Sequence, residues 1–380
     1  MKIHSRLPDI GTSIFTVMSR MAHEHQAINL SQGFPDFPVA QVLIDGISRK
    51  MKEGHNQYAP MPGILALRQA IARVVDKTYH RQVDPEGEIT ITAGGTEAIY
   101  ATITSLVGPG DEVILFDPSY DCYDPAIRLN GGIPVAIDLA PPLFRIDWDQ
   151  VKDKITDRTK VIMINTPHNP TGVVLTAEDI DTLADITLRH DIVVLSDEVY
   201  ERIIFDNCTH QSVLRSAHLA SRSVAVFSFG KTFHATGWKV GYAIAPPSIT
   251  AEIRKAHQFI TFSVNTPVQL ALAEYLEKEE NYLNLGRFYQ QKRDFFLQQI
   301  KGSSFEPMPC HGSYFQLLSY RTISDKGDKE MAEWLTSNHK IASIPVSAFY
   351  KNNADHRLLR FCFAKTEETL MKAGAILNRF

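Results

Sequence analysis

Short runs of β-branched and aliphatic residues recur through the middle of the chain: Ile89 to Thr92, Val113 to Phe116, Val161 to Ile164, Ile192 to Leu195 and Val224 to Phe227. Each is followed by Gly-rich, Pro-rich or polar residues, the pattern of strands buried between layers. Helical patterns lie between several of them. Thr176 with Asp179 forms a capping box, and Ile180, Leu183, Ala184 and Leu188 then share one face. Alternating strand and helix predicts an α/β fold built on a mostly parallel central sheet.

After Pro267 the pattern changes. A long helix is expected from about Val268 to Lys301, with Leu285, Phe288, Tyr289 and Phe296 as its inward stripe. The last eighty residues mix short strands with charged helices: Leu359, Phe361 and Phe363 alternate, and Leu370, Ala373 and Leu377 follow at helical spacing. The first forty-five, with Pro8, Pro35 and Pro38 and few periodic signals, read as an arm. The expected division is a large domain over residues 46–280, with residues 1–45 and 281–380 forming an arm and a smaller α+β domain.

Composition narrows the function. The 380 residues are 44% hydrophobic and 22% charged, which excludes global disorder. Thirty-nine basic against 43 acidic residues give a net charge of −4, with no broad positive field for nucleic acid or anionic membrane. Any anion site must be local. Cys122, Cys208, Cys310 and Cys362 are too sparse for a disulfide framework, which fits a reducing cytoplasm. His23 with His25, and Cys310 with His311, lack further ligands at metal spacing, so no metal is expected. Pro8, Asp9 and Gly11 sit where a secretory leader needs an apolar core, and no apolar run is long enough to span a membrane.

In open parallel sheets the ligand site lies beyond the carboxyl ends of the strands. Those ends carry Gly94-Gly-Thr96, Asp117-Pro-Ser-Tyr120, Asn165 to Gly172, Ser196-Asp-Glu-Val-Tyr200 and Ser228-Phe-Gly-Lys-Thr232. Gly94 and Gly95 before a helix expected over Glu97 to Val107 suit a phosphate, although a plain glycine turn has the same signature. Lys231, with Lys239 eight residues on, suits an amine that must spend time neutral, its pKa lowered by a neighbouring cation. Either lysine alone also reads as a surface charge, Asp197 as a helix cap and Tyr200 as core packing.

Together these residues resemble the class I aminotransferases, pyridoxal-phosphate (PLP) enzymes of fold type I. Asn169-Pro-Thr-Gly172, Ser196 to Tyr200, Ser228 to Thr232 and Arg360-Phe-Cys-Phe363 stand in that family's order. Asn29 to Asp36, Asn56-Gln-Tyr58, Asp117 to Tyr123 and Thr236 to Tyr242 are similar to the branch acting on kynurenine, glutamine and methionine. The resemblance implies that Lys231 is both covalent anchor and proton shuttle, and that Asp197 pairs with the pyridine nitrogen. It implies that Asn169 and Tyr200 bond the ring hydroxyl and that Tyr120 stacks on the ring. The phosphate would be held by Gly95, Thr96, Ser228 and Lys239, with Tyr58 reaching across from the second subunit of a homodimer. Arg360 would fork the substrate α-carboxylate, where a structural salt bridge is the ordinary alternative, with Asn169 and the backbone of Gly33 beside it.

The expected activity is ping-pong transamination of an L-amino acid with a 2-oxo acid; β-elimination from cystathionine or a related conjugate is the alternative. A regulatory PLP-binding domain would be expected to carry an added DNA-binding module, and the resemblance begins by about Leu7. Without an obvious second arginine, and with Phe34, Tyr58 and Tyr120 as aromatic candidates, a neutral or aromatic donor is favoured over aspartate. Methionine leads glutamine, phenylalanine, histidine and kynurenine. His168 and His234 are expected to be hydrogen-bonded spacers.

Overall fold

A computed structural model describes residues 3–380. Thirteen strands occur among them: β1 (Ile28–Asn29), β2 (Ile89–Thr92), β3 (Glu112–Asp117), β4 (Ile133–Asp138), β5 (Thr159–Asn165), β6 (Val193–Asp197), β7 (Ser223–Ser228), β8 (Gly241–Ile244), β9 (Glu306–Pro307), β10 (Phe315–Ser319), β11 (Ile341–Ala342), β12 (Ile344–Pro345) and β13 (Leu358–Cys362). Seven form the central sheet in the order β2-β8-β7-β6-β5-β3-β4. β7, β6, β5, β3 and β4 pair in parallel, while β8 runs antiparallel to both of its neighbours. All five expected strands are present.

The alternation of side chains along a strand explains why these runs are apolar throughout. Ile114, Ile162 and Val194 pack into one apolar cluster, whereas their chain neighbours Val113, Val161 and Leu195 belong to another. Helices cover the sheet: Gly95–Leu106 lies against Pro247–Ile260, and Thr266–Tyr275 lies against Gln41–Lys52 and Leu65–Tyr79.

A second sheet, β12-β13-β10-β9, is antiparallel and is flanked by helices Leu285–Gln299, Asp328–His339 and Glu367–Leu377. Leu370, Ala373 and Leu377 are all buried in this region, as their spacing predicts.

Four expectations need correction. The single helix over 268–301 is three: Thr266–Tyr275, Glu280–Leu283 and Leu285–Gln299. The Asn281 side chain captures the Tyr275 carbonyl at 2.7 Å, while Glu277 and Glu279 turn to Arg73 and Lys77 of a neighbouring helix. The N-terminal segment contains a helix, Ile14–Glu24, that buries Met18 and Ala22, and its β1 pairs in parallel with β11. Its periodicity was masked by the prolines on either side. Leu188 does not join its neighbours' inward face and is 65% exposed near the helix end. The helix after β2 begins at Gly95, two residues early, which moves Gly95 and Thr96 into its first turn.

Candidate active site

The carboxyl ends of β2, β5, β6 and β7 and the start of β8 surround a cavity of about 330 Å³. Gly33, Gly95, Thr96, Tyr120, Asn169, Asp197, Tyr200, Ser228, Lys231, Lys239 and Arg360 all line it. Tyr58 does not: it is 82% exposed and packs edge-on against Phe262, away from the cavity of its own chain.

One end is built for an anion. Gly94, at φ +82°, precedes helix Gly95–Leu106 and gives it no side-chain cap, so the first-turn N–H groups lack the usual acceptor. A Cβ on Gly94 would stand 3.4 Å from Lys239 Nζ, and one on Gly95 only 2.9 Å from Val199 Cγ1. The positive φ favours glycine at 94, where the lysine contact is an ordinary one, and at 95 the Val199 methyl leaves little room for a side chain. Helix polarity and the Lys239 ammonium act in the same sense, with the Ser228 and Thr96 hydroxyls nearby. From below, Glu97 accepts from Ala93 N at 3.0 Å and meets His257 Nδ1 at 3.0 Å, while His257 Nε2 donates to the Met61 carbonyl at 3.1 Å.

At the end of β6 the Asp197 carboxylate is 4% exposed. The Tyr123 hydroxyl donates to its Oδ2 at 2.6 Å, and Val199 N donates to Oδ1 at 3.3 Å. Burial raises its pKa to about 6 against these bonds and the attraction of Lys231. A cationic N–H facing Asp197 would restore full ionisation.

Lys231 Nζ donates to Tyr314 Oη at 3.0 Å and lies 3.4 Å from the Gly33 carbonyl. Its pKa falls to about 8. Burial is the main cause, and Arg360 and Lys239 add smaller repulsions, so the cation effect expected from the sequence is real but secondary. Tyr200, 3% exposed, has its phenol pKa raised by burial.

Arg360 is 1% exposed on β13, opposite in pleat to Leu359 and Phe361. Its Nη1 donates to Asn169 Oδ1 at 2.7 Å and its Nη2 to the Ser31 carbonyl at 3.1 Å. The guanidinium lies 3.9 Å from the Phe315 ring centre, with Phe349 at 5.0 Å and Phe15 at 5.2 Å. Among the described residues its buried Nε has no hydrogen-bond partner. Desolvation lowers its pKa to about 10, leaving it charged near neutrality. A buried, charged fork with donors unspent and no carboxylate ion pair among the described residues fits an anionic ligand better than a structural salt bridge.

Several contributors escaped the sequence reading. Phe15, Gln32, Asn165 and Phe315 line the cavity, Tyr123 holds Asp197, and Tyr314 meets Lys231. Gln32, Asn165 and Tyr123 lay within motifs the sequence offers but carried no assigned role, whereas Phe15, Tyr314 and Phe315 lay in none. Phe34 is corrected: it is 46% exposed, with Lys365 over its ring, and does not line the cavity. His168 contacts the Thr171 hydroxyl at 2.7 Å and His234 the Tyr289 hydroxyl at 2.7 Å, the spacer arrangement expected.

An uncapped helix turn beside an ammonium, a buried carboxylate, an amine of lowered pKa and a free guanidinium suit a phosphorylated pyridine aldehyde and an amino acid side by side. The residues therefore fit PLP.

Comparison with known proteins agrees with this chemistry. The chain is 51% identical to the methionine aminotransferase of Escherichia coli (strain K12) over 376 residues, covering 99% of this chain and 97% of that protein. It is 31% identical to kynurenine–oxoglutarate transaminase 1 of Homo sapiens over 411 residues, covering 99% and 97%. The solved structure of YbdL from Escherichia coli, described as having a methionine aminotransferase function, superposes with a TM-score of 0.98 at 51% identity over 100% of both chains. N-Succinyldiaminopimelate aminotransferase from Mycobacterium tuberculosis superposes with a TM-score of 0.96 at 34% identity, again over 100% of both. Residues 25–376 match the family described as aminotransferase class I and II, and with that match and these relatives the chain belongs to the class I and II aminotransferases.

Proposed function

We propose that this aminotransferase uses PLP to transfer the amino group of a neutral L-amino acid, methionine foremost, to a 2-oxo acid. The observation that carries the reading is the meeting of Lys231, Asp197, Arg360 and the Gly94–Thr96 turn around one cavity. Bound PLP supplies an aldehyde that joins amines and a protonated ring that withdraws the electron pair left at the substrate Cα.

The protein's own groups do the rest. The Gly95 and Thr96 turn, Ser228 and Lys239 hold the phosphate. Asp197, steadied by Tyr123, keeps the ring nitrogen protonated. Asn169 has its Oδ1 committed to Arg360, which leaves its Nδ2 to donate to the ring hydroxyl beside Tyr200, while Tyr120 flanks the ring. Arg360 binds the α-carboxylate that amino acid and 2-oxo acid share, with Gly33 nearby. Lys231 Nζ anchors the cofactor and, once released as a neutral amine, accepts and returns the Cα proton.

Phe15 and Phe315 make the wall near Arg360 apolar, which favours a thioether or aromatic side chain over a second carboxylate. The names of the relatives, methionine aminotransferase and kynurenine–oxoglutarate transaminase, support transamination over β-elimination. We assign residues 46–280 as the cofactor domain and residues 1–45 with 281–380 as the second unit, supported by the β1 to β11 pairing. The working form is a homodimer in which Tyr58, exposed here, reaches the partner's phosphate site. A cytoplasmic setting is part of this proposal; among the described residues no helix is long and apolar enough to cross a membrane.

Lys231→Ala tests the mechanism: it should remove the covalent link between chain and cofactor and nearly all turnover, and retained turnover would defeat the assignment. Methionine, glutamine, phenylalanine, histidine, kynurenine and aspartate, each offered with several 2-oxo acids, then rank the donors. Pyruvate and ammonia released from cystathionine without a 2-oxo acid would instead favour β-elimination.

A further inference from the structure

We infer that the Tyr314 hydroxyl is a positioning group that fixes the direction in which the Lys231 amine presents its lone pair. The inference rests on the reading of Lys231 as the reactive amine.

Its logic is one of donors and acceptors. A phenol has one proton, and the Gly33 carbonyl 2.6 Å away can only accept, so the Tyr314 proton is committed there. The phenolic oxygen therefore meets Lys231 Nζ, 3.0 Å away, as an acceptor, and the amine must donate. The Gly33 carbonyl lies 3.4 Å from the same nitrogen and can take a second N–H. A neutral amine has two N–H bonds and one lone pair. With both N–H bonds directed at Tyr314 and Gly33, the lone pair is left facing the cavity, where a proton must be taken up.

The phenol is itself held rigidly. Tyr314 is fully buried, edge-on to Tyr200 with ring centres 5.1 Å apart, against Phe315 at 4.9 Å and Tyr289 at 5.8 Å. The titratable groups around Nζ are Asp197 on β6, Tyr200 beyond it, Tyr314 ahead of β10, Arg360 and Cys362 on β13, and Lys239 ahead of β8. Of these, Tyr314 is the one bonded to the amine among the described residues.

The test uses the full-length chain freed of cofactor and trace acetylation by acetic anhydride across pH, with Lys231 read by peptide mass spectrometry. Tyr314→Phe keeps the ring and removes the acceptor that favours the ammonium. The midpoint of Lys231 labelling should fall by about one pH unit, the worth of a hydrogen bond to a charged group. Tyr289→Phe, which removes a neighbouring hydroxyl bonded to His234, should leave the midpoint in place. A Tyr314→Phe midpoint that stays or rises overturns the inference, as does an equal fall in Tyr289→Phe. If Lys231 in the unsubstituted chain resists labelling at every pH, the reading of Lys231 itself fails. Should Tyr314→Phe not fold, 3-fluorotyrosine placed at position 314, a weaker acceptor of nearly the same shape, must lower the midpoint by a smaller amount; no fall overturns the inference.

Discussion

Replacing Arg360 by lysine retains the charge and removes the fork. A guanidinium has five N–H donors; the structure commits one to Asn169 and one to the Ser31 carbonyl, leaving three for a ligand. An ammonium has three donors, and meeting the same two obligations leaves one. A carboxylate bound through two parallel bonds would thus keep one. At about 1.5–3 kcal/mol for a charge-assisted hydrogen bond, the loss is roughly 10- to 150-fold in affinity. The face-on contact with Phe315, 3.9 Å from guanidinium carbon to ring centre, is lost as well. Because amino acid and 2-oxo acid share the carboxylate, KM should rise for both by similar factors, while the absorption of the bound cofactor is unchanged. Steady-state kinetics with methionine and a 2-oxo acid, each varied at saturating partner, read the two constants. An unchanged KM for either substrate would refute the assignment of Arg360 to the carboxylate.

The buried Asp197 carboxylate also makes a prediction about stability. Its pKa is raised from 3.8 to about 6 without a ring nitrogen beside it, so the folded cofactor-free chain binds the proton more tightly than the unfolded chain. Stability then falls as pH rises through that window. Asp197→Asn should raise the Tm of the cofactor-free protein at pH 7, with the advantage closing as pH falls from about 6 towards 4, while weakening activity of the loaded enzyme; a lower Tm at pH 7 would refute the argument. Gly241→Ala probes the anion turn from beneath: its Cβ would stand 2.5 Å from the Phe227 carbonyl and 2.9 Å from the Gly94 and Gly95 backbone, none of which can swing aside. It should cost about 1–3 kcal/mol in chemical denaturation and weaken retention of the phosphorylated cofactor, and normal retention would show that the turn is not the anchor.

The central strands were legible because burial on both faces leaves a continuous apolar run; β5 and β6 each show it. β4 was not read, since it lies at the sheet edge with Pro134 in it and only Ile137 buried. The charged members of the site were legible because each stands just after a strand or on a recognisable motif. Tyr314, Phe315 and Phe15 were not, because an aromatic residue that lines a cavity has the same sequence signature as one that fills a core. What distinguishes Tyr314 is one oxygen 3.0 Å from Lys231, a partner 83 residues earlier in the chain.

Arg360 stands on the last of the strands, yet its side chain reaches Asn169 in the turn beyond β5 and Ser31 near the start. In chain order, Lys239 is the last side chain assigned to the phosphate and the His257 prop beneath the turn follows β8, whereas the grip on the amino acid must await β13. A chain cut short ahead of β13 would lack the carboxylate fork, whatever the rest of it could still hold.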